Sequence, residues 1–325
     1  MGRACPAMLL DPAERPPQAR GNHLPEKDLR EKDRWAVVQC IRTLKKTQQV
    51  MGIPPRMRVR FLGTGGAANE ARHQAAVLVD WDEASARGRI LLDTGSGLDI
   101  VRRLIAAGSD PTDVHHIFVS HQHTDHIGGL EPLLLWSIIK TLRRRHGPPD
   151  DHTLVYADKG VTAGIDQLFA AVATVAPRLF GQKLGLRGAT DGAAFELGAD
   201  VNLTMFRVDH EPSDGGAMGC VIERGGTRLV YSGDTRPTQR LIQAARDADV
   251  LIHEAGGLDA NAAEIHRQGH STAGDAGRAA AGAGVRRLIL THLPGDDLTA
   301  SMLDEARAAF AGQVELASEL AVLEL

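Results

Sequence analysis

Apolar and polar positions alternate in short segments from Arg58 onward, and this pattern predicts strands that alternate with helices. The predicted strands cover residues 59–62, 76–80, 90–93, 117–120, 154–157, 201–208, 220–223, 228–231, 250–253 and 287–291. The predicted helices cover residues 98–107, 133–145, 165–175, 239–246, 272–281 and 303–310. Such alternation is typical of an α/β domain with helices on the sheet faces. Because the second half repeats the rhythm of the first, we expect two sheets packed face to face.

The first 57 residues differ from this pattern and form a predicted N-terminal extension to the domain at 58–325. Residues 1–25 are rich in proline and arginine, which predicts a disordered tail. Residues 26–51 predict an amphipathic helix that ends before Pro54, because apolar side chains recur at every third position. These side chains are Trp35, Val38, Ile41 and Leu44. The segment is basic, yet packing on the domain or on a partner subunit is favoured over nucleic-acid contact.

Composition narrows the class of protein. A chain of 325 residues with 43% hydrophobic content can bury a full core, and a net charge of −4 gives no overall basic footprint for nucleic acid. Three scattered cysteines indicate neither a disulfide framework nor a thiolate zinc site. No apolar run approaches the roughly 20 residues of a membrane span. We therefore expect a soluble, cytoplasmic protein without a membrane partner.

The segment Ser120–His126 carries the strongest chemical signal. It places His121, His123, Asp125 and His126 within six positions, directly after a predicted strand. A lone histidine is more often a hydrogen-bonded core or surface residue. Imidazole and carboxylate groups in this H-x-H-x-D-H spacing are the ligands that suit zinc and related divalent metals. The loop therefore predicts a metal site.

Three further candidates follow other predicted strands, where a shared cleft is expected: His210, Asp234 and His292. Together with the loop they make seven ligands, which is too many for one tetrahedral zinc ion. Seven ligands suit two metals that share a bridging carboxylate, with a bridging hydroxide as the nucleophile. Two Zn²⁺ ions are predicted, and Mn²⁺ or Fe²⁺ suit the same donors.

These motifs resemble those of the metallo-β-lactamase superfamily, and within it the ribonuclease Z-like branch. The resemblance covers residues 58–325 and implies a four-layer αββα sandwich with the site at one edge of the sheets. It implies one metal held by His121, His123 and His210, and another held by Asp125, His126 and His292. Asp234 is implied as the bridge, and Asp93 as a residue that supports the metal loop.

Two further motifs are similar to those of the ribonuclease Z-like branch. They are His253-Glu254-Ala255 and Gly269-His270-Ser271-Thr272. The resemblance implies that His270, oriented by Glu254, is the general acid and that Asp125 is both ligand and base. Phosphodiester cleavage leaves an alkoxide that needs a proton, and an imidazole beside a carboxylate can supply one. A helix-terminal role for His270 beside a Ser/Thr cap is the alternative.

The resemblance is incomplete in the segments that the family uses to bind its substrate. The branch carries a tRNA-grasping arm between the third histidine ligand and the bridging aspartate, yet His210 and Asp234 are only 24 residues apart. A P-T-K-x-R-N stretch after the Gly63 loop is also replaced by other residues. The sequence therefore predicts a zinc phosphodiesterase, an endonuclease of ribonuclease Z-like type without the arm, acting on RNA or on a small molecule. The resemblance also implies a homodimer.

A second class of hydrolase stays open. Other members of the superfamily act on a lactone, a β-lactam or an aryl sulfate. Thr235-Arg236-Pro237 follows the predicted bridge where lactonases of this fold carry a tyrosine, which argues against a lactonase. A non-enzymatic scaffold is disfavoured because all seven candidate ligands are present.

Overall fold

The computed structural model describes residues 57–82, 87–145, 152–172, 180–181, 183–198, 200–210 and 216–325. The predicted N-terminal extension lies outside these ranges up to residue 56. Its tail and its amphipathic helix therefore stay predictions.

The strands recur through both halves of the described chain. In chain order they are Met57–Gly63 (β1), Ala76–Asp82 (β2), Arg87–Leu92 (β3), His116–Phe118 (β4), Thr153–Asp158 (β5), Leu184–Ala189 (β6), Ala194–Gly198 (β7), Val201–Arg207 (β8), Met218–Arg224 (β9), Thr227–Tyr231 (β10), Val250–Glu254 (β11), Arg287–Thr291 (β12), Gln313–Leu316 (β13) and Val322–Glu324 (β14). They form two seven-stranded sheets, in the orders β14-β1-β2-β3-β4-β5-β6 and β13-β12-β11-β10-β9-β8-β7.

The helices lie between these strands in sequence. In chain order they are Asp99–Ala106 (α1), Thr124–Ile127 (α2), Leu130–Arg145 (α3), Lys159–Val172 (α4), Gln239–Ala244 (α5), Ala262–Arg267 (α6), Ala273–Ala283 (α7) and Thr299–Ala309 (α8). Within the described residues, none of them combines the length and apolar composition that crossing a bilayer demands.

Three layers of apolar side chains join the sheets and helices. The first lies between the sheets and includes Val79 and Ile252. The second lies outside the first sheet, where Leu104 of α1 and Ile165 of α4 are buried. The third lies outside the second sheet, where Met302 of α8 is buried. The predicted four-layer αββα sandwich is confirmed.

Parallel pairing decides where the polar strand ends meet. Strands β3 to β6 run parallel, and so do β10 to β13. Parallel strands that are covered on both faces read as continuous apolar runs, and β11 is buried along its whole length. Because the carboxyl ends of such strands share one edge, the loops after β3, β4, β10, β11 and β12 lie at the same edge of the sandwich.

The outer strands differ from the sequence prediction. Four of the described strands, β6, β7, β13 and β14, were not predicted. They lie at or next to sheet edges, and β6 reads Leu-Gly-Leu-Arg-Gly-Ala, which has neither a continuous apolar run nor many β-branched residues. Strand β4 is also shorter than predicted. It ends at Phe118, because the amide of Ser120 donates to the carboxylate of Asp93 instead of to a neighbouring strand.

Helix α7 depends on a capping box, because its sequence is almost entirely small residues. Thr272 accepts a hydrogen bond from the amide of Asp275, and Asp275 accepts one from the amide of Thr272, each at 3.0 Å. Asp275 also contacts His266 Nε2 and Arg278 Nη2 at 2.6 Å. Burial opposes ionisation, but these hydrogen bonds outweigh it and lower the pKa of Asp275 to about 2.

We expect Asp275→Asn to lower the free energy of unfolding by about 1 kcal/mol at neutral pH. The folded-state pKa lies below the unfolded value, so the carboxylate stabilises the fold above the unfolded pKa of about 4. That contribution disappears as the pH falls toward 2. Urea unfolding of both proteins between pH 7 and pH 3 measures the difference, which should shrink toward the acid end. A constant difference across this range would contradict the assignment.

Candidate metal centre

The loop after β4 delivers four of the seven predicted ligands. His121 and His123 lie in the loop itself, while Asp125 and His126 occupy the short helix α2 that begins at Thr124. His121 and His126 are fully buried. The tight turn from strand into helix therefore points imidazoles and a carboxylate into the edge of the sandwich where the parallel strands end.

The second sheet supplies the partners of the two loop histidines. His210 follows β8, and the ligand atoms of His121, His123 and His210 all lie within 4.8 Å of one another. His210 Nε2 is 3.2 Å from His123 Nδ1. The structure thus assembles, from two sheets, the triad that the resemblance implied for one metal.

A second triad lies beside the first. His292 follows β12, and the ligand atoms of Asp125, His126 and His292 also lie within 4.8 Å of one another. His292 Nε2 is 3.2 Å from Asp125 Oδ2. The backbone of His292 has φ +55°, a conformation that non-glycine residues rarely adopt and that the surrounding structure must hold.

Asp234 lies between the triads. Its Oδ2 atom is 3.2 Å from His126 Nε2, 3.3 Å from His292 Nε2 and 3.8 Å from His121 Nε2. Burial opposes ionisation of Asp234, but His126 and His292 outweigh it and hold the pKa of its carboxyl well below the usual range. A buried carboxylate in contact with both triads is suited to bridge two cations.

The electrostatics of the two triads differ. Burial lowers the pKa of His121 well below its usual value, and the neighbouring His126 lowers it further. Burial also opposes the charge of His126, yet Asp234 and Asp93 outweigh it and raise the pKa of His126 well above its usual value. A neutral imidazole is ready to bind a cation, and the negative surroundings of His126 favour positive charge at this point.

The donor set fits divalent metals. Within the described structure, His121 Nε2 and His126 Nε2 are buried atoms without a hydrogen-bond partner. Buried polar atoms are rarely left unpaired in folded proteins. Five imidazoles and two carboxylates, with two such nitrogens close to Asp234, suit zinc, manganese or iron better than calcium. Their roles as ligands stay predictions.

Hydrogen bonds to the remaining ring nitrogens orient the imidazoles. His126 Nδ1 contacts Asp93 Oδ2 at 2.8 Å, His121 Nδ1 contacts Ser120 Oγ at 3.0 Å, and His210 Nδ1 donates to the carbonyl of Gly269 at 2.8 Å. Such partners fix which nitrogen faces a metal. Ser120 and Gly269 were not predicted in this role.

Asp93 makes several of the hydrogen bonds that orient the metal loop. Its carboxylate accepts hydrogen bonds from the amide and hydroxyl of Ser120 at 2.7 and 2.8 Å, and from the Tyr231 hydroxyl at 2.7 Å. Tyr231 was not predicted in this role. Its only sequence signal is an aromatic residue at the end of an apolar strand, 138 positions from its partner. The structure places Asp93 against His126, the position that the resemblance implied.

His270 and Glu254 lie directly beside the triads. His270 Nδ1 is 3.1 Å from Glu254 Oε1, and the His270 ring stacks on His292 with a centroid separation of 5.3 Å. Glu254 Oε1 also accepts hydrogen bonds from the amides of Thr235 and Ser271. Burial opposes protonation of His270, but Glu254 outweighs it and raises the pKa of His270 to about 9. The pair therefore favours a protonated imidazole.

Other histidines form contacts elsewhere. His73 contacts Asp99, His116 contacts Tyr156, and His253 contacts a backbone carbonyl through Nδ1. These three residues therefore have hydrogen-bonding partners outside the two triads.

The interval between His210 and Asp234 is short. Residues 211–215 lie outside the described structure, and the strands β9 and β10 account for most of residues 216–234. Both strands are paired within the second sheet. The predicted lack of an extended arm in this interval therefore agrees with the fold.

Comparison with known proteins places the chain in a family. Residues 88–293 match the model of the β-lactamase superfamily domain. The ribonuclease Z of Haloferax volcanii is 31% identical over 321 residues, covering 83% of this chain and 95% of that protein. The metallo-β-lactamase fold protein YhfI of Bacillus subtilis superimposes with a TM-score of 0.68 at 23% identity, covering 83% of this chain and 100% of that one. The human short-form tRNase Z superimposes with a TM-score of 0.61 at 22% identity, covering 82% and 98%. The chain belongs to the metallo-β-lactamase superfamily of metal-dependent hydrolases, in its ribonuclease Z-like branch.

Proposed function

We propose that the protein is a dinuclear, zinc-dependent phosphodiesterase that cleaves RNA or a smaller phosphodiester. The observation that carries the proposal is the His270–Glu254 pair, 3.1 Å apart and next to both triads. Cleavage of a phosphodiester expels an alkoxide, and a protonated imidazole beside the triads can supply the proton that this oxygen needs. The ribonuclease Z relative supports the same class of bond.

The residues of the site would have different roles. His121, His123 and His210 would hold one metal, and Asp125, His126 and His292 the other, with Asp234 shared. Two bound divalent metals would lower the pKa of a coordinated water and stabilise the negative charge of the phosphate. Asp125 would accept a hydrogen bond from the attacking water and so orient it.

The leaving oxygen needs a proton, and His270 would give one. Its Nδ1 lies 3.1 Å from Glu254 Oε1, so the other ring nitrogen, Nε2, would be the donor to the substrate. The side chain of His270 is 21% exposed while that of Glu254 is 1% exposed, so the imidazole can reach substrate and the carboxylate cannot. Glu254 therefore orients the acid and favours its protonated form.

The proposal predicts which substrates are cleaved. We expect the metal-loaded protein to hydrolyse bis-p-nitrophenyl phosphate and either precursor tRNA or a cyclic nucleotide. Asp125→Ala should lose these activities, because it removes both a ligand and the group that orients water. A panel that adds a homoserine lactone and a β-lactam measures this. Hydrolysis confined to the lactone or the lactam would overturn the proposal.

The same panel of substrates also shows how large a phosphodiester the protein accepts. Cleavage of precursor tRNA would mean that RNA is gripped without an arm between His210 and Asp234. Cleavage of only the small phosphodiesters would mean that the short interval selects smaller substrates. A homodimer, implied by the resemblance, is a separate proposal that the molar mass in solution tests.

A further inference from the structure

Arg236 lies two residues after Asp234 and contacts two segments of the site. Its Nη1 atom donates to the carbonyl of His210 at 2.7 Å, and its Nε atom donates to the carbonyl of His266. Nη2 donates to the carbonyl of Arg267 at 3.4 Å. The side chain therefore joins the end of β8 to the end of α6, and both run directly into residues of the site.

Helix α6 explains why a guanidinium suits this position. The last carbonyls of a helix have no partner within the helix and carry partial negative charge. His266 and Arg267 provide two such carbonyls at the end of α6. A planar guanidinium donates in several directions at once, whereas a lysine ammonium on a flexible stem does not reproduce that geometry.

The contacts close a ring of hydrogen bonds around His210. Arg236 binds the carbonyls of His210 and His266, the amide of Gly269 donates to the same His266 carbonyl at 3.1 Å, and the carbonyl of Gly269 accepts from His210 Nδ1. Gly269 has φ +90°, and a Cβ atom there would lie 2.7 Å from His210 Nδ1. The imidazole of His210 therefore packs directly on the backbone that leads into His270.

We infer that Arg236 is a positioning residue that holds the candidate ligand His210 and the segment carrying His270 as one unit. Metal binding at the triad of His121, His123 and His210 then orders residues 266–270. Loss of the Arg236 side chain weakens this coupling, although the bond from His210 Nδ1 to the carbonyl of Gly269 remains. The inference rests on the proposed roles of His210 and His270. It does not depend on which bond the protein cleaves.

Metal affinity tests the inference without any substrate. The zinc affinities of wild type, Arg236→Met and Arg236→Lys are measured by competition with a chromophoric chelator. The visible absorption spectra of the same three proteins loaded with Co²⁺ report the geometry around the metal. We expect Arg236→Met to lower the zinc affinity of one of the two metal sites by about 10- to 100-fold and to change the Co²⁺ spectrum. Arg236→Lys should show a smaller loss in the same site.

Hydrogen exchange tests the coupling itself. In wild type, zinc should slow amide exchange in a peptide covering residues 264–272, and this protection should be clearly smaller in Arg236→Met. Arg240→Met is the matched control, because Arg240 pairs with Asp191 outside the site at 2.8 Å. Unchanged zinc affinity in both Arg236 variants, or zinc protection that is as large in Arg236→Met as in wild type, overturns the inference. Should Arg236→Met fail to fold, the same two measurements on Arg236→Lys decide it.

Discussion

Replacing Asp234 with alanine will remove zinc from the protein and lower hydrolysis of bis-p-nitrophenyl phosphate by at least about 10³-fold. Asp234 is buried, and its Oδ2 atom is within 3.3 Å of both His126 Nε2 and His292 Nε2. Without it, two triads of imidazole-rich ligands lose the negative charge they share. Two cations bound at the adjacent triads would then repel each other without a carboxylate between them.

Metal content measured by mass spectrometry after gel filtration decides this prediction. Wild type should retain two equivalents, and Asp234→Ala and the isosteric Asp234→Asn should retain fewer. Asp249→Asn is the control, because Asp249 precedes β11 at the opposite end of the sheet and pairs with Arg286. Less than one equivalent in wild type, or two equivalents in both Asp234 variants, would contradict the two-metal site.

The variants also separate loss of metal from loss of fold. Metals that bind only the folded state raise the temperature of unfolding. Added zinc should therefore stabilise wild type and Asp249→Asn strongly, and Asp234→Asn weakly. In the presence of a chelator all three proteins should unfold at similar temperatures. A large deficit for Asp234→Asn under chelation would mean that the carboxylate supports the fold itself.

The sequence predicted the candidate ligands because each lies directly after an apolar run. Where strands run parallel, that position places a side chain at the shared carboxyl edge. His210 follows β8, which is antiparallel to β9 as β9 is to β10, so β8 runs in the direction of β10 and brings His210 to the same edge. The tight spacing within the loop from His121 to His126 adds a second, independent signal. Glu254 came instead from the resemblance of the His253-Glu254-Ala255 motif, and the structure brings it to 3.1 Å from His270.

The supporting residues were missed for a physical reason. Tyr231 meets Asp93 across 138 positions, and Arg236 binds backbone carbonyls, which exist at every residue and leave no mark on the sequence. Strand β6 was missed because only Ala189 of its six residues is buried, so few of its positions require apolar side chains. The pattern of apolar runs in the sequence therefore predicts which side chains reach the site. The residues that orient those side chains are identified only from the contacts in the structure.

Replacing His270 with alanine will slow cleavage of a phosphodiester with an alkoxide leaving group by about 10²- to 10⁴-fold, the usual contribution of a general acid. Hydrolysis of bis-p-nitrophenyl phosphate should fall by less than about 10-fold, because p-nitrophenolate leaves without a proton. The reason is the geometry of the pair. Glu254 holds Nδ1 of His270, and the imidazole is the exposed member of the two.

The ratio between the two substrates separates an acid from a structural residue. If His270 only shaped the site, for example through its stacking on His292, both rates would fall by the same factor. Glu254→Gln should reproduce the selective loss in weaker form, since an amide still accepts from His270 but does not favour its charge. His116→Ala is the control, because its ring contacts Tyr156 outside the two triads and its loss should spare both rates. Equal losses on both substrates in His270→Ala would remove the general acid from the mechanism while leaving the metal centre intact.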